Sequence, residues 1–223
     1  MTERRITKIE AQKNNPGRRN IYADGEFVVG VSDETLLRAG LRIGDVVTEK
    51  DLNELRDRES YATAKNAAMR YLSYRPRTER EIRNKLRETE HAERHIESVV
   101  EDLKRAGLID DRVFARMYIR DTRAARPAGP ILLKQKMILL GIDKEIIEDA
   151  LRETMADVSQ EDEATEAAKK FLAQSGKSGR KVDPEKLRSR LTGLLARRGF
   201  SWDVIGKVVQ KTLQSYDKSN ESP

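Results

Sequence analysis

The sequence predicts a mainly α chain: tandem three-helix repeats forming an elongated curved array, with a small N-terminal β-hairpin or meander extension. Three observations carry this expectation. An apolar helical face at Tyr61, Ala64, Ala68 and Leu72 leads through a Pro-containing break to two further amphipathic stretches, ending at Ala106-Gly107. The pattern returns about 51 residues later and again about 58 residues after that. Ahead of residue 48, by contrast, apolar residues flank short turn signals.

Within residues 1–59, Arg5–Lys13 and Arg19–Ala23 flank Asn14-Asn15-Pro16-Gly17, a turn by composition. Asp24-Gly25 between Ile21-Tyr22 and Phe27-Val28-Val29 is a two-residue hairpin signal, so a three-stranded meander is expected. Such a sheet is marginal alone and needs a helix or the first repeat to pack on. Ser32 caps a short helix that carries Asp33 and Glu34 at its positive end and stops at Gly40. Leu41–Val47 suits a short strand, and Thr48 starts a helix through Leu52 and Leu55.

The first repeat is expected over residues 60–109. Pro76 disfavours helix at Arg75, and Thr78 is placed to cap a second helix bearing Ile82 and Leu86. A third helix aligns Ile96, Val99, Val100 and Leu103. In the second repeat, residues 110–158, Arg126-Pro127-Ala128-Gly129-Pro130 falls on the earlier break, with Leu133, Met137, Ile147 and Leu151 at the core positions. The third, residues 159–213, places Leu191, Leu195 and Ile205 there, and Gly199 on Gly141. Each unit is expected to bury its face against a neighbour, giving an arm of about 75 Å. Asp157–Glu163 reads as an acidic linker, Gln174–Val182 as a flexible basic loop and residues 214–223 as a disordered tail. Phe200 and Trp202 are expected to anchor the last repeat's core, with Ser201 as a cap.

Composition excludes several classes of function. The chain has no cysteine, so disulfides and thiolate metal sites are absent. No apolar run reaches the roughly 18–20 residues of a membrane span, and the start lacks a signal-peptide core, so a soluble cytoplasmic protein is expected. His91 and His95 stand at zinc-ligand spacing, but Ala92 occupies the place of a catalytic Glu and no third soft ligand exists; they read as helix-surface residues. Gly176-Lys177-Ser178 lacks the earlier Gly of a phosphate loop, since position 171 is Phe. No nucleophile is set beside a base, so no active site, cofactor or metal is expected.

Charge points to an acidic partner. Net charge is +6, from 44 basic and 38 acidic residues. The excess lies in the first repeat, 11 basic against 8 acidic over residues 60–109, and in residues 159–223, 13 against 9. Arg112, Arg116, Arg120 and Arg123 share an arc of roughly 80° on one helix, opposite Phe114, Met117 and Tyr118. The plainer reading is a solvated face laced to local acids. The sharper one is a docking stripe, because guanidinium holds phosphate or carboxylate bidentately. The second helices and their breaks add Arg75, Arg77, Arg80, Arg83, Lys85 and Arg87, then Arg126, Lys134 and Lys136, then Arg190, Arg197 and Arg198.

The run Ala68-Met69-Arg70-Tyr71-Leu72-Ser73-Tyr74-Arg75-Pro76-Arg77-Thr78-Glu79-Arg80-Glu81-Ile82 is followed by Leu86, Gly107-Leu108-Ile109-Asp110-Asp111 and Phe114-Ala115. Gly129-Pro130, Leu133, Lys136, Gly141-Ile142 and Ile146–Leu151 continue the series. In this order the pieces resemble the RecX family of recombination regulators, over roughly residues 60–213. The third repeat departs most, through its lengthened basic loop. The resemblance implies a non-enzymatic, monomeric modulator of the RecA recombinase. It would bind RecA and its filament on single-stranded DNA, depress strand exchange, ATP turnover and co-protease stimulation, and touch the DNA backbone at most weakly. A helix-turn-helix reader is the main alternative. It is disfavoured by Glu93, Glu97, Glu101 and Asp102 on one third helix and by Asp143, Glu145, Glu148 and Asp149 on the next, which would repel phosphates. A purely structural helical scaffold is the other.

Overall fold

The computed structural model describes residues 3–157, 159–175 and 183–221, which fall into two compact units. The first unit takes the chain up to Arg77 together with Ile82–Leu108; the second takes Thr78–Glu81 and the chain from Ile109 onward. Within residues 174–182, the stretch 176–182, and with it the Gly-Lys-Ser sequence, lies outside the described residues.

The first unit opens with an antiparallel sheet of four strands, β1 (Glu3–Gln12), β2 (Asn15–Ala23), β3 (Glu26–Ser32) and β4 (Val46–Thr48), in the order β3-β2-β1-β4. The expected meander is present, and β4 extends it by pairing with the start of β1. Asp24 and Gly25 take φ of 50° and 83°, as the tight hairpin turn requires. The other turn sits earlier than expected, at Lys13-Asn14. Pro16 and Gly17 fall inside β2, where a register shift between Ala11 and Gln12 absorbs them.

Helix α1 (Asp33–Ala39) is capped by the Ser32 hydroxyl and ends at Gly40 with φ 66°. Helix α2 (Glu49–Leu72) starts at a capping box between Thr48 and Asp51. Containing neither Pro nor Gly, it runs unbroken through the boundary expected between residues 59 and 60. Leu52 and Leu55 join Ile6, Ile21, Val31 and Val47 in the sheet's core; Ala64 and Ala68 are buried further along the same helix.

The edge strand β3 is closed off by charged side chains. Arg56 donates to Val28 O, Arg18 donates to Gly30 O at 3.0 Å, and Ser32 N donates to Glu59 at 3.0 Å. Arg18 also pairs with Glu59 at 2.6 Å. Capping an exposed ladder in this way blocks edge-to-edge association. Helices α3 (Glu79–Glu88) and α4 (Glu93–Arg105) complete the first repeat, with Ile82, Leu86, Ile96, Val99, Val100 and Leu103 buried.

The second unit holds α5 (Asp111–Ala125), α6 (Pro130–Leu139) and α7 (Lys144–Met155), then α8 (Gln160–Ser175), α9 (Pro184–Arg197) and α10 (Trp202–Glu221). Ile82, Leu133 and Leu191 are all buried, as are Leu86, Met137 and Leu195, and Ile96, Ile147 and Ile205. Leu151 departs from its expected place: it is half-buried, and the adjacent Ala150 turns into the core instead. Residues 160–163, expected within a linker, already belong to α8. The expected tail is also corrected. Residues 214–221 continue α10, which Leu213 and Tyr216 tie to the third repeat's core.

Candidate interaction surface

Which cations are free to meet a partner depends first on the joints between repeats. Thr78 caps the start of α3 through a reciprocal pair with Glu81 and donates its hydroxyl to Leu140 O at 2.8 Å. The Arg80 guanidinium donates to the carbonyls of Ile138, at 3.1 Å, and Leu139. The next joint repeats this placement with backbone donors: Gly129 N bonds Arg198 O at 2.7 Å and Ile131 N bonds Gly199 O at 3.1 Å. Gly141 and Gly199, which end the α6–α7 and α9–α10 turns, hold φ of 85° and 78°. A Cβ on Gly141 would collide with the Arg80 side chain, and one on Gly199 with Leu132. The Arg198 guanidinium reaches Pro127 O at 3.0 Å. Arg80 and Arg198, expected as contact residues, are therefore committed to these joints.

A second group of cations is bound to acids across helix pairs. Arg83 grips Glu97 through two hydrogen bonds, the shorter 2.7 Å, and Lys134 meets Glu148 at 2.9 Å in the equivalent place of the next repeat. Arg87 pairs with Glu93 of α4, whereas Lys85 pairs with Glu88 within α3. Hydrogen bonds from Arg83, Arg87 and Lys134 hold the Glu97, Glu93 and Glu148 carboxyls below their ordinary range. Arg112 and Arg116 lie against Asp149 and Glu153 of α7, and Lys65 meets Asp102 at the position equivalent to Arg116–Glu153. Arg77 stacks on the Tyr71 ring with its guanidinium carbon 3.9 Å from the centroid, and Arg75 donates to Pro76 O.

The arginine arc on α5 is thus divided. Phe114 is buried and Met117 and Tyr118 pack against the core, as expected. Arg123, however, is not part of an open face. Its side chain is 17% exposed, donates from Nε and Nη2 to the single oxygen Oε1 of Glu163 on α8, and is hydrogen-bonded to Thr154 O. Arg123 is thereby tied to α8, and among the described residues only Arg120 in the arc is exposed without an ion pair.

What remains is a set of unpaired cations at and beyond the joint of the second and third repeats. Arg126, exposed and unpaired, opens the segment whose Pro127 and Gly129 bond to Arg198. Lys136, also unpaired, stands one turn beyond Leu132, the residue against Gly199. Arg197 is exposed at the C-terminal end of α9, and Arg190 and Lys186 continue its stripe at helical spacing. None of these has a carboxylate partner among the described residues. Residues 184–198 hold five basic side chains against one acidic, so the local field is positive. The spacing of Lys186 from Arg190 and Arg197 on one face is legible in the sequence.

The two histidines show no metal geometry, and no cluster of three potential ligands occurs among the described residues. His95 is not at the surface as expected: it is buried, with Nε2 2.9 Å from Asp57 of α2. Trp202 departs in the opposite sense. Phe200 is buried as expected, but the Trp202 indole is 71% exposed. No helix among the described residues is long and apolar enough to cross a membrane.

Comparison with known proteins agrees with this layout. Residues 4–48 match the Regulatory protein RecX N-terminal domain, and residues 64–103, 110–151 and 161–209 match the first, second and third three-helix domains of RecX. The chain is 35% identical over 213 residues to a regulatory protein RecX of Clostridium acetobutylicum, covering 95% of this chain and 97% of that one. It is 33% identical to that of Bacillus licheniformis, over 97% of this chain and 80% of the other. A crystal structure of a regulatory protein RecX superposes with a TM-score of 0.68 at 30% identity, over 92% of this chain and 98% of that one. RecX from Lactobacillus salivarius gives 0.59 at 29% identity, over 69% and 96%. With its sheet, its three helical triplets and these relatives, the chain belongs to the RecX family of regulatory proteins.

Proposed function

We propose that this protein is a non-enzymatic, monomeric cytoplasmic regulator that binds RecA and RecA filaments on single-stranded DNA. Bound there, it inhibits the recombinase, ATPase and co-protease activities of RecA in DNA repair and the SOS response. The observation that carries the reading is the set of unpaired cations Arg126, Lys136, Lys186, Arg190 and Arg197 in a chain of this family. Repeats that each offer a modest contact suit a polymeric partner, because linked weak contacts add as avidity.

A major-groove reader is less well supported. The acids of α4 and α7 are engaged with Arg83, Arg87, Arg112, Arg116 and Lys134, leaving those helices without a basic reading face. A scaffold without partners is separated by co-sedimentation. The protein should pellet with RecA filaments on single-stranded DNA and stay in the supernatant without them; equal recovery in both would favour the scaffold.

A further inference from the structure

In the first two repeats an ion pair bridges the second and third helices at the same place, Arg83–Glu97 and Lys134–Glu148. The equivalent positions in the third repeat are Thr192 and Gly206. Neither can form the bridge, and a Cβ on Gly206 would meet nothing within 4 Å. A groove of about 400 Å³ lies open there, between Arg188 and Thr192 on α9 and Trp202, Gly206 and Gln210 on α10. Trp202 occupies the place that Glu93 and Lys144 hold in the other repeats. Its exposed indole forgoes the burial by which a large aromatic ordinarily stabilises a fold.

The floor of the groove is already committed to the core, since Ile205 and Val209 are buried. That leaves a shallow slot offering one flat ring, one guanidinium, one hydroxyl and one amide. No carboxylate lines it, and Arg188 has no acidic partner among the described residues. On the opposite flank of α9, Lys186, Arg190 and Arg197 add unpaired positive charge.

We propose that this groove is a stacking site for single-stranded nucleic acid. A base lies on the Trp202 indole, Arg188 meets an adjoining phosphate, and Thr192 and Gln210 face the base edge. Stacking of this kind needs an unpaired base, so duplex is excluded. The unpaired guanidinium and the absence of a lining carboxylate suit a phosphate beside a stacked base. The site does not depend on RecA, and its test uses nucleic acid alone, so its failure leaves the proposed RecA binding untouched.

Trp202 is the only tryptophan in the chain, which makes its emission a direct probe. Titrating the full chain with an oligothymidylate of about 20 nucleotides should quench that emission saturably, with weaker quenching at higher salt. A duplex of equal length should leave it unchanged. In anisotropy with labelled oligonucleotide, Trp202→Ala should weaken binding about tenfold or more, Trp202→Phe much less, and Arg188→Glu should flatten the salt dependence. Circular dichroism checks that each variant is folded. Unquenched emission at saturating oligonucleotide, or Trp202→Ala binding at wild-type strength, would overturn the proposal. So would quenching by an acidic peptide of similar length but not by the oligonucleotide, which would assign the groove to a protein partner.

Discussion

Reversing Arg126, Lys136, Arg190 and Arg197 together to Glu should weaken binding to RecA filaments about a hundredfold while leaving the helices intact. Arg126 and Arg197 flank the joint of the second and third repeats, Lys136 stands one turn beyond it on α6 and Arg190 two turns from Arg197 on α9; none holds an ion pair among the described residues, so reversal breaks no salt bridge. Surface charge changes of this kind move stability by less than about 0.5 kcal/mol each. Like charges at an acidic or phosphate surface repel, and wild-type binding itself should fall with salt. Arg112→Gln with Arg116→Gln is the control, because those side chains already face Asp149 and Glu153 and the neutral amides set no carboxylates together; that variant should lose far less binding. Arg123 is unsuitable for such a test. Its reversal would set two carboxylates together where α5 meets Glu163, and lost binding could then reflect lost packing. Wild-type co-sedimentation by the fourfold variant, with native circular dichroism, would remove these cations from the interface.

The largest stability effect is expected at Glu59. Its side chain accepts from Arg18 and from Ser32 N, and the residue is only 6% exposed. Glu59→Ala strips the β3 edge of one cap and leaves Arg18 without its carboxylate, at a cost of about 3–5 kcal/mol in urea denaturation. Glu59→Gln, which keeps an acceptor for Ser32 N, should cost less. Burial by itself would push the Glu59 carboxyl up, but hydrogen bonds from Ser32 and Thr35 and the Arg18 charge together bring it below its ordinary value. A lowered folded pKa means its contribution is fully present above the unfolded carboxylate pKa, about 4.3, and is lost as pH falls through the folded value. The wild type should therefore lose more stability on acidification than Glu59→Gln does. Equal acid sensitivity in the two would contradict the role given to this carboxylate.

Much of the architecture was legible in residue spacing because local chemistry decides it. Ser32, Thr48 and Thr78 cap helices where a side-chain acceptor precedes an apolar run, and Asp24-Gly25 turns the hairpin it announces. The 51- and 58-residue offsets place core residues correctly except at Leu151, where one step along the helix brings in Ala150. Charge partners were less legible. Arg83 and Glu97 are 14 residues apart, as are Lys134 and Glu148, and only the folded turn between second and third helices brings them together. Arg123 reaches Glu163 across 40 residues and His95 reaches Asp57 across 38; both are partnerships that no helical wheel shows. Trp202 fails for a related reason. Its place on the helix surface depends on which neighbour is large, and Thr192 and Gly206 leave it uncovered.

The most direct measurement is RecA ATP hydrolysis on single-stranded DNA with this protein titrated in. Regulation by contact with a filament predicts depression at amounts well below one copy per RecA, relieved in the Arg126, Lys136, Arg190 and Arg197 reversal variant. ATP turnover unchanged up to equimolar protein, under salt conditions where filaments are stable, would contradict RecA inhibition as the function of this chain.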